Sequence, residues 1–528
     1  MSKNPGSGLS MSKISNFTKR IFSYRFPAQV RTVSNFAANI YSLIVGIIFV
    51  PLYINYIGIE AYGLIGAFNG ITAFLWLFDF GIATNINREL AKFYEQEDKR
   101  DLLDLKKTLE IVCYGLSGVI GLFLSGFIAL LAFYWFNSDK FTPSYLFSVL
   151  AILAFSLVLQ FPITFYTSGL LGLNQQVPLN FINIFINTVK CVGAYLAVIY
   201  FEDKIHAFLT FQACVTLIQL VILKIALTKF TAIENYKGKF KFEIIKRIKK
   251  FASELFANNL IIILLMQSDK VILSRILSLE DFGYYMLAYS ITTMTIGIFS
   301  NSVTNVVFPN FSRLTAQNNT TDLIKNFHLS SQLMTWGMVS ITTILALFSQ
   351  EILLVWARNP LVAEKTSVLL SVWAIGMGLN TLAMIPYYVQ LAYGRSNISF
   401  RFNLIALILN VPALIITSNL YGALGAACCW LTLNAIYLVT FIPSVQKNFL
   451  SFSLKDWYLK DVGKIALVGI LIGLIFRHFI TPDIPHVYLF ILIGLCFTTI
   501  AGVTFFITEL PKFTLKYDLF YRLKRKFL

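Results

Sequence analysis

SNFAANIYSLIVGIIFVPLYINY, residues 34–56, runs for 23 positions without a charged side chain. As a helix it would extend about 35 Å at 1.5 Å per residue, enough to cross a hydrocarbon core roughly 30 Å thick. Lipid leaves helix as the conformation for a single segment, because each backbone N–H and C=O must be satisfied within it. Comparable runs recur at 61–85, 110–135, 145–169, 178–200, 206–228, 253–276, 282–306, 330–356, 366–390, 398–417, 421–444, 463–480 and 487–508, which predicts fourteen spans. The 528 residues are 57% hydrophobic and 13% charged, with mean hydropathy +0.71. That composition excludes a soluble domain of this length and assigns the chain to the all-α, polytopic membrane proteins.

Charge gives the orientation. With a cytoplasmic N-terminus, 34 of the 43 Lys and Arg fall in inner segments. Six are outer (Lys140, Lys204, Arg275, Arg358, Lys365, Arg477), and Lys190, Lys224 and Lys270 lie within spans. The positive-inside rule then places both termini in the cytoplasm. The net charge of +17 reads as an orientation signal rather than a nucleic-acid surface, since it is spread over short connections. Cys113, Cys191, Cys214, Cys428, Cys429 and Cys496 all sit in apolar runs without CxxC spacing, so neither a disulfide framework nor a metal site is expected. The full-length first apolar run, with no small-residue cleavage site after it, predicts no removable signal peptide.

The chain also matches itself at an offset of 220 residues. Phe36, Ala37 and Asn39 fall on Phe256, Ala257 and Asn259, Glu60 and Gly63 on Glu280 and Gly283, and Asn183 on Asn403. Six spans separate the partners, an even number, so the halves share one orientation and are related by an axis along the membrane normal, a transporter architecture. The expected organisation is a basic N-terminal segment 1–33, a six-helix lobe 34–228, a basic amphipathic inter-lobe segment 229–252, a second six-helix lobe 253–446, two further spans within 463–508 and a basic amphipathic tail 509–528. Both amphipathic stretches suit anionic membrane lipid.

Two stretches carry a resemblance. GIEAYGLIGAFNGITAFLWLFDFGIATNINRELAKF from Gly58 to Phe93, with Asp79, Gly81 and Arg88, and QSDKVILSRILSLEDFGYYMLAYSI from Gln267 to Ile291 resemble the Wzx-type polysaccharide flippases of the multidrug/oligosaccharidyl-lipid/polysaccharide exporter superfamily. The resemblance implies a V-shaped pair of six-helix lobes and alternating access in the bacterial inner membrane. It further implies export of an undecaprenyl-pyrophosphate-linked oligosaccharide to the periplasmic leaflet without a cofactor. A polysaccharide polymerase and a chain-length regulator are the implied protein partners. Many members have twelve spans; the extra pair departs from that count and in related lipid II flippases borders a groove for the lipid tail.

Ionisable groups deep in spans cost about 2.5–3.5 kcal/mol on insertion scales and need a partner or a wet cavity. Asn180, Asn183, Asn187 and Lys190 are spaced 3, 4 and 3 apart and share one helical stripe. The stripe reads either as interhelical hydrogen-bonding glue or as a cavity wall suited to hydroxyl-rich glycan and phosphate. Asp269 is either half of an ion pair with a neighbouring helix or a carboxylate that loads a coupling ion. Its neighbour Lys270 diverges from it by position on the helix, so the two are not expected to pair. Asp79, Arg88, Lys270 and Arg275 are candidates for lobe contacts or gates. Asn39 and Asn259, being repeat partners, either meet across the pseudo-twofold axis or bond within their own lobes, and both join the candidates for lining the substrate cavity.

Two other classes compete. A membrane polymerase or ligase is disfavoured because no outer segment exceeds about a dozen residues, and none of His206, His328, His478 or His486 shows an acidic partner at a catalytic spacing. A multidrug cation antiporter of the same superfamily is the stronger rival, although the deepest charge of the first lobe is the cation Lys190.

Overall fold

A computed structural model of the chain describes residues 28–75, 82–91, 99–136, 138, 140–233, 236, 238–395, 397–450, 453–480 and 485–511. Side chains at 245–259 and a few other helical positions lie outside that description. Among the described residues the structure is helical, with one isolated bridge between Ile233 and Tyr236. In chain order the helices are α1 (Ala28–Ile57), α2 (Ile59–Thr72), α3 (Ile82–Leu90), α4 (Arg100–Leu130), α5 (Pro143–Gly172), α6 (Gln176–Tyr200), α7 (Lys204–Phe230) and α8 (Phe242–Ile276). There follow α9 (Leu279–Ala316), α10 (Thr320–Leu347), α11 (Ser349–Ala357), α12 (Pro360–Ala392), α13 (Asn397–Phe449), α14 (Lys464–Phe479) and α15 (His486–Ile507). Asp79 and the C-terminal residues 512–528, with most of their amphipathic stretch, lie outside the described residues. The basic inter-lobe stretch from Phe242 is continuous with a span: Phe242–Ile276 is one 35-residue helix.

Helix starts follow the local sequence. Thr142 accepts from the Tyr145 N–H ahead of α5, with Pro143 in the first turn where its missing donor does no harm. Ser278 caps α9 through Asp281, and Asn359 caps α12 through Leu361 and Val362.

All fourteen expected spans overlap these helices, but nine described helices are long and apolar enough to cross, ten if a bent pair counts as one span. Three physical causes account for much of the difference. The expected eleventh and twelfth spans are the two helices on either side of Gly422, whose φ of +59° and ψ of −140° suit glycine and little else; Tyr437 bonds back to Asn403 across that turn, and the two together make up α13 and count once. The expected ninth span is α10 and α11, bent by 77° around Phe348. The helix of the expected second span, α2, has 14 residues and the principal helix of the thirteenth, α14, has 16.

The chain forms two compact units, one of residues 1–56, 74–135 and 141–259, the other of 57–73, 136–140 and 260–528. In the first, α5 packs against α4, α7 and α3, and α6 against α7. The connection 236–241 is strapped to the start of α4 by Asp104, which is buried and accepts from Tyr236 Oη at 2.5 Å, the Lys239 N–H at 2.6 Å and Lys241 Nζ at 2.7 Å. The Asp104 bond, together with one to Asp101 at 3.1 Å, raises the Lys241 ammonium above the ordinary lysine range.

In the second unit α12 is the hub, packed on α9, α10 and α13. The segment Trp457–Gly463 that leads into α14, and α15 itself, dock on α10 through polar contacts: Asp461 binds His328 and accepts from Gln332 Nε2 at 2.8 Å, Trp457 Nε1 donates to Ser331 Oγ at 3.0 Å, and Trp336 Nε1 donates to the Ala501 carbonyl at 2.7 Å.

In this unit α2 and α9 cross with their backbones in close approach at the repeat partners Gly63 and Gly283. A Cβ on Gly63 would lie 2.3 Å from the Leu279 carbonyl oxygen, and one on Gly283 would lie 2.3 Å from that of Ile59. Backbone cannot swing aside as a side chain can, so Gly63→Val and Gly283→Val are each expected to destabilise by about 1–3 kcal/mol or more. Thermal unfolding of purified protein should show a lowered midpoint for either, against no change for Gly126→Ala, whose Cβ would meet nothing within 4 Å.

Candidate functional site

Burying polar side chains in spans forces them to find partners, and those partners show where the chemistry of each unit is concentrated. In the first unit the stripe of α6 divides in two. Asn180 Nδ2 donates to Ser34 Oγ at 3.0 Å and to Asn35 Oδ1 at 2.6 Å, which fastens α6 to α1. Tyr41 and Thr188 bond one another, and Tyr53 Oη donates to the Cys191 carbonyl at 2.9 Å, extending the same seam. Asn187 Oδ1 takes only a 3.7 Å contact from Cys191 Sγ, and the half-buried Asn183 makes no side-chain hydrogen bond among the described residues.

Lys190 ends the stripe. It lies fourteen residues past Gln176, about 21 Å along α6 at 1.5 Å per residue. Its Nζ donates to Gln219 Oε1 on α7 at 3.1 Å, and no carboxylate approaches it among the described residues. A neutral amide accepts a bond without cancelling charge, so the cation keeps its field.

In the second unit, Asp269 and Lys270 do pair, contrary to their expected divergence. Lys270 Nζ is 3.1 Å from Asp269 Oδ1 and also donates to the Met266 carbonyl at 2.9 Å. Divergence of neighbouring Cα–Cβ bonds governs short side chains. The lysine stem instead folds back along its own helix toward the carbonyl four residues earlier, and that path passes the preceding carboxylate. Tyr285 Oη donates to Asp269 Oδ2 at 2.6 Å, and Lys270 Nζ stands 4.0 Å above the Tyr289 ring. Both charged residues are buried, Asp269 at 9% and Lys270 at 3% exposure. From Tyr289 an aromatic series continues through Trp373 (centroids 5.2 Å) to Trp430 (5.4 Å, stacked).

At the far end of the α2–α9 crossing, Lys140 bridges the repeat partners Glu60 and Glu280, at 3.5 and 3.7 Å. Ser138 Oγ donates to Glu60 at 2.5 Å and Tyr284 Oη to Glu280 at 3.1 Å.

Other predicted residues are placed elsewhere. Arg88 is largely exposed, 2.9 Å from Glu89, where an ion pair contributes little. Arg275 is exposed at the end of α8, and Asn39 is exposed on α1. The Asn259 side chain and Asp79 lie outside the described residues. Two histidines do have acidic partners, His328 with Asp461 and His206 with Asp203 at 2.8 Å. Burial opposes ionisation of Asp203, yet bonds from the His206 N–H, Tyr145 and the His206 ring outweigh it and hold the carboxyl below its ordinary range. His206 Nε2 also meets Ser148 Oγ at 2.7 Å, completing a serine–histidine–aspartate chain. Ser148 stands in the sixth position of α5 with its hydroxyl donating to the Tyr145 carbonyl at 2.8 Å. N–H groups inside a helix are spent on its own carbonyls, which leaves no paired donors to hold an oxyanion there. The chain of bonds ties the starts of α5 and α7.

Residues 31–315 match the family described as polysaccharide biosynthesis protein. Curated relatives include a Shigella flexneri protein named as an O-antigen transporter, 26% identical over 215 residues (40% of this chain, 50% of the relative), and the lipopolysaccharide biosynthesis protein WzxC of Escherichia coli K12, 26% identical over 219 residues (39% and 42%). The chain thus spans about half or less of the length of the curated relatives it matches. Among solved structures, the lipid II flippase MurJ in an inward closed conformation superposes with a TM-score of 0.69 at 16% identity, over 90% of this chain and 98% of that one. An inward-facing multidrug resistance MATE transporter of the MOP superfamily gives 0.61 at 12% identity, over 81% and 98%. At these identities the superpositions establish the fold, that of a polytopic membrane transporter.

Proposed function

The chain belongs to the polysaccharide biosynthesis protein family, and on that premise we propose that it carries an undecaprenyl-pyrophosphate-linked oligosaccharide from the cytoplasmic to the periplasmic leaflet of a bacterial inner membrane. It does so by alternating access, with both termini cytoplasmic, and makes or breaks no covalent bond. The observation that carries this reading is the family match over 31–315 on a chain with the fold of a lipid II flippase. The names of the curated relatives, an O-antigen transporter and a lipopolysaccharide biosynthesis protein, agree with it.

The geometry supplies the parts such a cycle needs. By sequence α2 belongs to the first repeat and α9 to the second, so the Gly63–Gly283 crossing and the Lys140 bridge join segments of the two repeats within one compact unit. We assign these contacts to closure of the outer end. Lys190, with Asn183 and Asn187, supplies an unneutralised cation and amide donors for pyrophosphate and sugar hydroxyls. Asp269, buried against Lys270 and Tyr285, is the group we assign to ion coupling. A polysaccharide polymerase and a chain-length regulator are the partners that receive the product.

The drug-antiporter reading fits this chain less well, because the charge deep in the first lobe is a cation, Lys190, which repels cationic drugs. Expression of the full chain in a flippase-deficient host is expected to restore surface polysaccharide and to leave ethidium resistance unchanged. Raised ethidium resistance without restored polysaccharide would replace this reading with the antiporter.

A further inference from the structure

A half-open cavity of about 220 Å³ lies between α8, α12 and α13 in the second unit. Its apolar floor comes from Ile262, Leu265 and Met266 of α8, and its other walls bring together three amides, Asn380, Asn403 and Asn434, with Tyr387, Trp430 and Tyr437. We propose that this cavity is a monosaccharide subsite that holds one sugar ring of the lipid-linked glycan, an inference that rests on the flippase reading above.

Three features support a sugar over an acyl chain or a drug. The amides are only partly used. Asn380 Nδ2 donates to Asn434 Oδ1 at 2.8 Å and Tyr437 Oη donates to Asn403 Oδ1 at 2.7 Å, which leaves Asn380 Oδ1 as an acceptor and Asn403 Nδ2 as a donor. That mixed pair suits hydroxyl groups, which both give and take hydrogen bonds. Trp430 Nε1 is buried with no partner among the described residues, so the indole meets the cavity through its ring rather than its N–H.

Trp430 is also held in place. It stacks on Trp373 with planes 28° apart, and the Cα–Hα side of Gly376 lies against its Cδ1, where a Cβ would come within 2.8 Å. Trp373 is itself pinned edge-on by Tyr285 and Tyr289. A fixed aromatic ring offers its face to the axial C–H groups of a pyranose, while the amides address its hydroxyls. The volume sets the size of the ligand. It falls below the ~300–1,000 Å³ typical of drug-sized pockets, so one ring fits and a disaccharide does not.

The test is lipid binding by the full chain in nanodiscs, read by native mass spectrometry with two probes. One is bare undecaprenyl pyrophosphate, and the other is the same lipid bearing the repeat unit isolated from the native host. Wild type is expected to bind the glycan-bearing probe about tenfold more tightly. Trp430→Leu and Asn403→Leu should abolish that increment and leave bare-lipid binding unchanged, while Trp430→Phe, which keeps a ring face, should retain part of it. Equal binding of both probes by wild type overturns the subsite and leaves the flippase reading standing. Equal weakening of both probes in the variants overturns it as well, since that marks a packing defect. Failure of wild type to bind either probe removes the flippase reading together with the subsite.

Discussion

Lys190→Ala is expected to abolish surface polysaccharide in a flippase-deficient host, a fall of at least tenfold at matched membrane abundance, while Lys190→Arg keeps partial function. Some 21 Å along a 25-residue helix, the lysine stem reaches neither membrane surface. A cation so placed costs about 2.5–3.5 kcal/mol on insertion scales, so a span that keeps it needs a compensating partner. Among the described residues its one side-chain partner is the neutral Gln219, and the deep carboxylate Asp269 is bonded to Lys270 and Tyr285. The charge is therefore available to a pyrophosphate. Gln219 offers the sharper test. Gln219→Glu sets a carboxylate about 3 Å from the ammonium and should reduce export nearly as far as Lys190→Ala, whereas Gln219→Leu removes the bond, keeps the cation and should leave export largely intact. Wild-type polysaccharide in both Lys190→Ala and Gln219→Glu would dismiss the cation from the mechanism.

Asp269→Asn is expected to uncouple transport from an imposed ion gradient in vesicles. The substitution also strands Lys270 in a site 3% exposed, and breaking a buried ion pair from one side costs about 3–5 kcal/mol. Instability and uncoupling are separated by Asp269→Asn combined with Lys270→Met, which removes both charges. The double variant should regain the thermal midpoint and still ignore the gradient. If the double variant responds to the gradient as wild type does, the pair is structural and the coupling ion binds elsewhere.

Much of the fold was legible because lipid imposes a rule that short stretches of sequence obey. Side-chain contacts within each unit also join segments that alternation of the spans puts on one side. Glu60, Lys140 and Glu280 meet in the second unit, and Arg31 meets Asn174 in the first. What hydropathy could not convey was continuity. The turn at Gly422 was legible, since the expected eleventh and twelfth spans fall on its two sides, whereas the 77° bend at Phe348 left no trace.

The site was legible in its charges and opaque in its aromatics. Lys190, Asp269 and Lys270 stand out in apolar runs, but Tyr285, Trp373 and Trp430 are hard to tell from lipid-facing residues until their neighbours are known. The repeat offset was the signal that picked out Gly63, Gly283, Glu60 and Glu280, whose importance no span pattern contains. Asp461 lies 133 positions from His328, beyond any spacing rule, whereas Asp203, three before His206, was within reach of one.

The crossing of α2 and α9 also limits how this chain can mutate. At each glycine the obstacle to a larger residue is the carbonyl oxygen of the opposite strand of backbone, Leu279 for Gly63 and Ile59 for Gly283. Main chain has no smaller variant, so a suppressor screen on either substitution should return no compensating change at the facing glycine. An ancestral duplication that set the two glycines against each other would have left a seam that later generations can lose but cannot repair from the other side.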